Sequence, residues 1–241
     1  TKGVFQLESN LGKSWSRKLK PSNIEELAAL VALIRPGCLK AISNGKSMTQ
    51  RYIDRKNGVE NVEYLHESLE EILKPTYGVL VYQEQSMRIA QKLAGFDLQE
   101  ADVLRKAIGK KKADLMAKVR RSFLKGSTKE GIEEAEEIFG WIEKSSRYSF
   151  NKSHAVAYAI CSFWSAFYKV HYTDQFFLAY LYHASEKQDT HEEVYELVSD
   201  AKLFDIKTKT PNITNFSEKF NMSNGSIYFG IKDVKSLTGK T

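Results

Sequence analysis

The sequence predicts a mainly α-helical protein that ends in a small segment containing strands. Apolar residues recur at helical spacing from residue 22 to residue 204, with capping residues, glycines and prolines between the segments. After residue 205 the chain becomes polar, and Asn224-Gly225 lies between short apolar runs, which is a hairpin signal. With 42% apolar and 12% aromatic residues in 241, the chain can bury a substantial core.

Each helix is predicted from an apolar stripe, a capping residue before it and a breaking residue after it. Ser22 with Glu25 gives the first capping box, and Gly109 and Gly126 are interpreted as the stops of two later helices. Residues 79–82 have strand propensity, although the helical interpretation includes them. In order, helices are expected over 22–34, at the end of the polar stretch 45–56, and over 67–73, 78–93, 98–108, 113–125, 131–144, 154–172, 175–184 and 192–204. The helix over 154–172 is apolar and aromatic nearly all round, which is typical of a buried helix.

Two changes in the sequence pattern predict that the chain has three structural parts. A loop over 145–150 follows an acidic helix, and the apolar pattern weakens after Asp205. We therefore expect a first helical lobe over 1–149, a second helical lobe over 150–204, and a small α+β segment over 205–241.

The positive charge is concentrated in one segment. The chain carries a net +6, but the stretch from Arg105 to Lys125 contains nine basic residues and one acid. That stretch is therefore +8, and the other 220 residues are −2. Lysines on a helix are most often a solvated face, yet this density exceeds what a helix C-terminus needs, so a nucleoside triphosphate or nucleic-acid backbone is the expected partner. The densest part places five cations within eight residues: Arg105, Lys106, Lys110, Lys111 and Lys112.

A second candidate segment lies at the start of the long helix. Lys152, Ser153 and His154 follow Asn151 there, and a helix N-terminus with its unpaired N–H groups favours an anion. The alternative, that Asn151 or Ser153 only caps the helix and His154 faces outward, stays open.

The sequence lacks the residue patterns of metal-dependent catalysis, zinc binding and glycine-rich phosphate binding. The sequence has no Asp-x-Asp pair, no zinc-binding histidine spacing and no glycine-rich phosphate loop, so we expect no catalytic residue and no metal ligand in this chain. The two cysteines are isolated, and no apolar run reaches the roughly 18 residues of a membrane span. The chain begins without Met, which suggests a piece of a longer protein.

Seven blocks of the sequence resemble the fingers domain of the bacterial family C replicative DNA polymerases. Together they are spread along nearly the whole chain, and they occur in the family's order. The blocks are residues 3–9 (GVFQLES), 32–37 (ALIRPG), 75–78 (PTYG), 82–85 (YQEQ), 101–112 (ADVLRKAIGKKK), 150–155 (FNKSHA) and 228–232 (YFGIK).

The resemblance implies synthesis of DNA from deoxynucleoside triphosphates on a primer–template. It implies Mg²⁺ held by palm aspartates outside this segment, so that the segment alone is inactive. The implied partners are the dNTP, primer–template DNA, the palm and thumb domains, the sliding clamp and other replisome subunits, without a membrane, in the cytoplasm of a bacterium or of a phage host. The implied nucleotide- and phosphate-binding residues are Arg105, Lys106, Lys110, Lys111, Lys152, Ser153 and His154.

The sequence also departs from the family pattern. Lys106 stands where the family has a second Arg, which keeps the charge but loses the bidentate fork. Cys38 replaces a Pro, residues 41–50 diverge, and residues 235–238 lack the glycine-rich hairpin of the family's helix-hairpin-helix region. From the residues alone, a free-standing helical nucleic-acid-binding module remains an alternative, and so does a protein-interaction scaffold built on the acidic helix.

Overall fold

The predicted mainly α-helical fold is confirmed. The computed structural model describes residues 2–43, 45–110 and 113–234, without the side chain of Lys110. Twelve α-helices lie in this part: α1 (Asn10–Leu19), α2 (Ile24–Leu33), α3 (Pro36–Lys40), α4 (Met48–Lys56), α5 (Glu70–Leu73), α6 (Gln83–Ala94), α7 (Leu98–Lys110), α8 (Ala113–Lys129), α9 (Ala135–Ser146), α10 (Lys152–His171), α11 (Thr173–Tyr182) and α12 (Thr190–Lys202). The strands there are β1 (Ile42–Ser43), β2 (Lys46–Ser47), β3 (Lys207–Lys209), β4 (Asn221–Ser223) and β5 (Ser226–Tyr228). None of these helices has both the length and the apolar character needed to cross a bilayer.

Internal contacts divide the chain into two compact units. The larger unit is Leu11–Ile160, and the smaller unit combines Thr1–Asn10 with Cys161–Thr241. Helix α10 continues through the boundary between Ile160 and Cys161. The domain boundaries expected after residues 149 and 204 stay a prediction.

The core of the larger unit lies among helices α5 to α9. Phe123 of α8 is fully buried there, with ring centroids 6.2 Å from Phe96 and 5.2 Å from Phe139. Leu104 and Ile108 of α7 belong to the same cluster. Truncating a buried Phe to Ala typically costs about 3–5 kcal/mol, so α7 rests on a strongly stabilised support.

Helix α2 begins one residue later than predicted. Asn23, not Ser22, is the N-cap, and its side chain accepts a 2.9 Å hydrogen bond from the Glu26 N–H. The Ser22 N–H donates to the buried Glu26 carboxylate at 2.7 Å, the Tyr77 hydroxyl donates to it at 2.7 Å, and Lys56 pairs with it. Burial alone would raise the pKa of Glu26, but these hydrogen bonds outweigh burial and lower it.

Helix α6 begins at Gln83, so the prediction of a helix over 79–82 was wrong. These four residues are buried and lie outside the helix, and Tyr82 is extended and forms a parallel bridge with Phe150. The Phe150 N–H donates to the Val81 carbonyl at 3.0 Å, and the Gln83 N–H donates to the Phe150 carbonyl at 2.9 Å. The strand propensity of this stretch is realised because a distant part of the chain supplies its partner.

Two glycines predicted to end helices lie inside them instead. Helix α7 continues through Gly109, and α8 continues through Gly126 to Lys129. At Gly126 an added Cβ would lie 2.1 Å from the carbonyl oxygen of Ala94. Gly126 therefore allows the close approach of α8 to the end of α6.

The smaller unit packs a three-stranded sheet against α11 and α12. The strand order is β3-β5-β4, with β3 parallel and β4 antiparallel to β5. Asn224 and Gly225 have φ values of 47° and 67°, so the predicted hairpin turn is confirmed. The core of the unit includes Phe177, Leu197 and Ile227.

A buried lysine ties the first residues of the chain to the helices of the smaller unit. The Lys169 ammonium of α10 donates to the Lys2 carbonyl at 2.6 Å and pairs with Asp200 of α12. Lys2 itself pairs with Glu193 and Glu196 at 2.8 and 2.6 Å. A buried charge is tolerated when it is paired and hydrogen-bonded in this way.

The prediction that α10 is buried was wrong. Only a narrow stripe of the helix, including Ala155 and Ala159, is buried, whereas Trp164 is 57% exposed. A sequence that is apolar all round does not reveal which faces have a partner within the same chain. The other large apolar side chains exposed on α10 are Phe163, Phe167, Tyr168 and Val170.

Candidate functional site

The two predicted cations of α7 share one carboxylate. The Arg105 guanidinium lies 2.7 Å from Oδ1 of Asp102, and the Lys106 ammonium lies 2.7 Å from Oδ2. These are the i, i+3 and i, i+4 spacings that bring side chains together on one helix face. Hydrogen bonds from Lys106 and Arg105 hold the pKa of Asp102 below its usual range. Both cations are about half exposed, so this group offers a net charge of +1 to solvent.

Two further predicted residues fall where the structure is not described. Lys110 is the last residue of α7, and its side chain lies outside the described residues. Lys111 lies wholly outside them, as does Lys112 and the segment 235–238.

The other described cations of the stretch 105–125 lie on α8 and, together with Lys129 at the end of that helix, fall into two groups. Arg120 turns to α9 and pairs with Glu136 and, at 3.8 Å, with Glu143. The other group is exposed, and no ion pair or hydrogen bond among the described residues involves it. We call this second group the α8 stripe, because its members follow one another at three and four residues along one helix face. The α8 stripe consists of Lys118, Arg121, Lys125 and Lys129.

The start of α10 is capped by protein groups. The Asn151 side-chain oxygen accepts a 2.8 Å hydrogen bond from the His154 N–H and a 2.7 Å bond from the Ser153 hydroxyl. The Lys152 N–H donates to Glu84 at 3.0 Å. Because these first-turn N–H groups already have acceptors, an anion at this position would depend chiefly on side chains.

The side chains of the three predicted residues point to different neighbours. The Lys152 ammonium pairs with Glu25 of α2 at 3.0 Å, while Ser153 and His154 are exposed. The His154 ring lies between two aromatic rings, with centroids 5.4 Å from Phe150 and 4.2 Å from Tyr158. The segment thus presents one paired cation and one stacked imidazole.

Three residues that shape this segment were not linked to it by the sequence, from which Glu25 was expected only to cap a helix. Glu84 binds both Asn151 and Lys152, and Glu25 pairs with Lys152. Arg35 donates to the Tyr148 carbonyl at 2.7 Å and stands 4.4 Å from the centroid of the Phe150 ring. Their contacts join positions more than 60 residues apart, so no local signal in the sequence reveals them.

Helix α6 supports both groups of predicted residues within the larger unit. A three-residue connection leads from α6 to α7, and the two helices share the buried cluster. The first turn of α6 holds the 150–152 segment through Glu84 and the main chain of Gln83. No described hydrogen bond or ion pair links Arg105 or Lys106 directly to the 150–154 segment. Within the described ranges, no three side chains of His, Cys, Asp or Glu cluster as metal ligands would.

This helical chain, which carries exposed cations on α7 and α8 and a capped start of α10, matches one protein family. Residues 1–131 match the family of the bacterial DNA polymerase III alpha subunit finger domain. That match covers more than half of the sequence, and it includes α7 and α8. The chain belongs to this family.

Full-length relatives extend the match to the rest of the sequence. The chain is 44% identical to the DNA polymerase III subunit alpha of Aquifex aeolicus, over 100% of this chain and 20% of the relative. It is 42% identical to the same subunit of Vibrio cholerae and 41% identical to that of Escherichia coli K12, each over 98% of this chain and 20% of the relative. The chain therefore spans about a fifth of the length of these relatives.

Proposed function

We propose that this chain is the finger segment of a DNA-directed DNA polymerase and that it positions the incoming dNTP and the nascent base pair on primer–template DNA. The observation that carries the proposal is the paired cation group of α7, which family membership places within a polymerase finger domain. A transferred phosphoryl group needs positioning and charge stabilisation, and a guanidinium supplies both. Arg105, Lys106, Lys152, Ser153 and His154 would act together with Lys110 and Lys111.

The proposal assigns metal chemistry to other parts of the enzyme. Mg²⁺ would be held by palm carboxylates outside this segment, and the palm, the thumb, the sliding clamp and other replisome subunits would be its partners in a bacterial cytoplasm. The 241-residue chain alone should therefore extend no primer in the presence of Mg²⁺. Any Mg²⁺-dependent extension by the purified chain would contradict this assignment.

The test of nucleotide positioning is Arg105→Ala in the full-length polymerase. Losing one charge-assisted hydrogen bond, worth about 1.5–3 kcal/mol, should raise the dNTP KM or lower kcat by about 10- to 100-fold. Arg88→Ala is the matched control, because Arg88 is also an exposed helical arginine beside a carboxylate, that of Glu71. Near-normal nucleotide kinetics for Arg105→Ala would refute the proposed role.

The α8 stripe favours a second candidate function, sequence-independent binding of a nucleic-acid backbone. Its members extend over about 16 Å along one face of α8 at 1.5 Å per residue, which is long enough to follow several phosphates. Because they have no acid partner among the described residues, a polyanion would not have to displace one.

Salt dependence of oligonucleotide binding tests this second function. Replacing Lys118, Arg121 and Lys125 by Ala should reduce the slope of log K against log salt by about 2 for single-stranded DNA, roughly 0.7 per phosphate contact. The control replaces three exposed cations that have acid partners: Lys74, Arg88 and Lys92. An equal change in slope for both triple variants would show that only net charge matters.

A further inference from the structure

Glu84 connects the start of α6 to the start of α10. Its Oε1 accepts a 2.7 Å hydrogen bond from the Asn151 side-chain amide, and its Oε2 accepts a 3.0 Å bond from the Lys152 N–H. Both carboxylate oxygens are thus engaged by donors of a segment 67 and 68 residues away in sequence.

This contact decides which way the Asn151 amide faces. Its nitrogen points to Glu84, so its oxygen faces the helix and accepts from the His154 N–H and the Ser153 hydroxyl. With the amide reversed, two donors would face the helix start, and the N-cap would be lost. A carboxylate at position 84 accepts only, so it excludes the reversed amide.

The main chain around this contact is held independently. Phe150 bridges to Tyr82, and the Arg35 guanidinium covers the Phe150 ring. Glu84 therefore orients the polar end of the segment, on which Lys152 and His154 lie, rather than the whole loop.

We propose that Glu84 is a positioning residue that acts through Asn151 to set the places of the Lys152, Ser153 and His154 side chains. The inference rests on the proposed function, in which these side chains line the nucleotide pocket. It adds a requirement for an acceptor at position 84 that is matched to a donor at position 151.

The test is an exchange of the two groups in the full-length polymerase. Glu84→Gln places an amide donor among donors, and Asn151→Asp sets two carboxylates against each other. In the double variant the new glutamine donates to the new aspartate, accepts from the Lys152 N–H, and leaves the cap of His154 in place. The net charge of the double variant equals that of the original protein, whereas the single variants change it in opposite directions.

Each single variant should raise the dNTP KM by about tenfold, the effect of one lost charge-assisted hydrogen bond. The double variant should return to within about threefold, with primer–template affinity nearly unchanged throughout. Glu100→Gln is the control, since Glu100 likewise accepts from a helix-start N–H, that of Asp97 at 3.1 Å, but contacts no predicted site residue. If charge alone mattered, the two single changes would move KM in opposite directions, and that result would overturn the inference.

Arg105→Ala in the same assay separates the two proposals. If Arg105→Ala raises KM but both single exchanges leave it unchanged, the role of Glu84 is wrong and the proposed function stands. If the double variant is as impaired as the single variants, the proposed match between the acceptor at position 84 and the donor at position 151 is wrong. If a single variant fails to fold, recovery in the double variant supports the match, and its absence overturns it. If Arg105→Ala itself has no effect, the proposed nucleotide role fails.

Discussion

Gly126→Ala should destabilise the larger unit, although alanine is the better helix former. The added methyl group would lie 2.1 Å from the Ala94 carbonyl oxygen and 2.9 Å from its carbonyl carbon. Ordinary contacts of a Cβ start near 3.4 Å, so α8 and the end of α6 must separate by about 1 Å. Because the opposing atoms belong to the backbone, no side-chain rotation can relieve the overlap.

The expected size follows from two opposing effects. Overpacking a well-filled interface costs about 3 kcal/mol at its usual upper end. The change from Gly to Ala within a helix returns about 1 kcal/mol. The free energy of unfolding should therefore fall by about 2 kcal/mol, which for a chain of this size lowers Tm by about 4–8 °C.

Gly140→Ala is the matched control for this prediction. Gly140 lies within α9, and an added Cβ there meets no atom within 4 Å. That substitution should raise the free energy of unfolding by about 0.5–1 kcal/mol. Both variants can be compared by thermal and urea unfolding followed through tryptophan fluorescence, since Trp141 packs against this core. Equal shifts for the two variants, or a Gly126→Ala protein that is more stable than the Gly140→Ala protein, would refute the packing argument.

Three further outcomes are expected. Lys169→Met should lower the free energy of unfolding by about 3 kcal/mol, because it leaves the partly buried Asp200 without its cation; an unchanged Tm would contradict this. The pKa of Glu26 is lowered from its ordinary value of 4.5, so its carboxylate stabilises the fold fully above pH 4.5, and this contribution is lost as the pH falls through the lowered pKa. Glu26→Gln should therefore flatten the acid side of a stability–pH profile measured by urea unfolding. Asp102→Asn should strengthen oligonucleotide binding at low salt by at most about fivefold, because Arg105 loses an exposed partner; weaker binding would contradict the competition between carboxylate and phosphate.

The features predicted correctly from the sequence are those fixed by neighbouring residues. Asn224-Gly225 adopts positive φ values and forms the expected hairpin, since the turn residues alone specify that geometry. The short helix predicted at the end of the polar stretch 45–56 is α4, which ends at Lys56 as expected. The concentration of cations from Arg105 onward likewise needs no tertiary information to be seen. The ion pairs with Asp102 follow from helical spacing and could have been predicted with the same rule.

The wrong predictions depend on residues that are distant in sequence. Gly126 has the properties of a helix stop, but contact with Ala94 gives it a packing role inside α8. Val81 and Tyr82 lie outside α6, where Phe150 pairs with them. Glu84 could not be assigned for the same reason, since its two donors lie at the start of α10.

The ion pairs of Arg105, Lys106 and Lys152 imply that a polyanion bound by these three residues must compete with carboxylates of the protein. Arg105 and Lys106 share Asp102, and Lys152 is paired with Glu25. The binding free energy of a triphosphate would be only the difference between the free energy of its own contacts and that of the ion pairs it displaces. The isolated chain should therefore bind free dNTP weakly. In the proposed polymerase, Mg²⁺ and the template base would supply the missing interactions. Discrimination between correct and incorrect nucleotides would then arise because the finger cations stabilise a triphosphate only when the rest of the site already holds it.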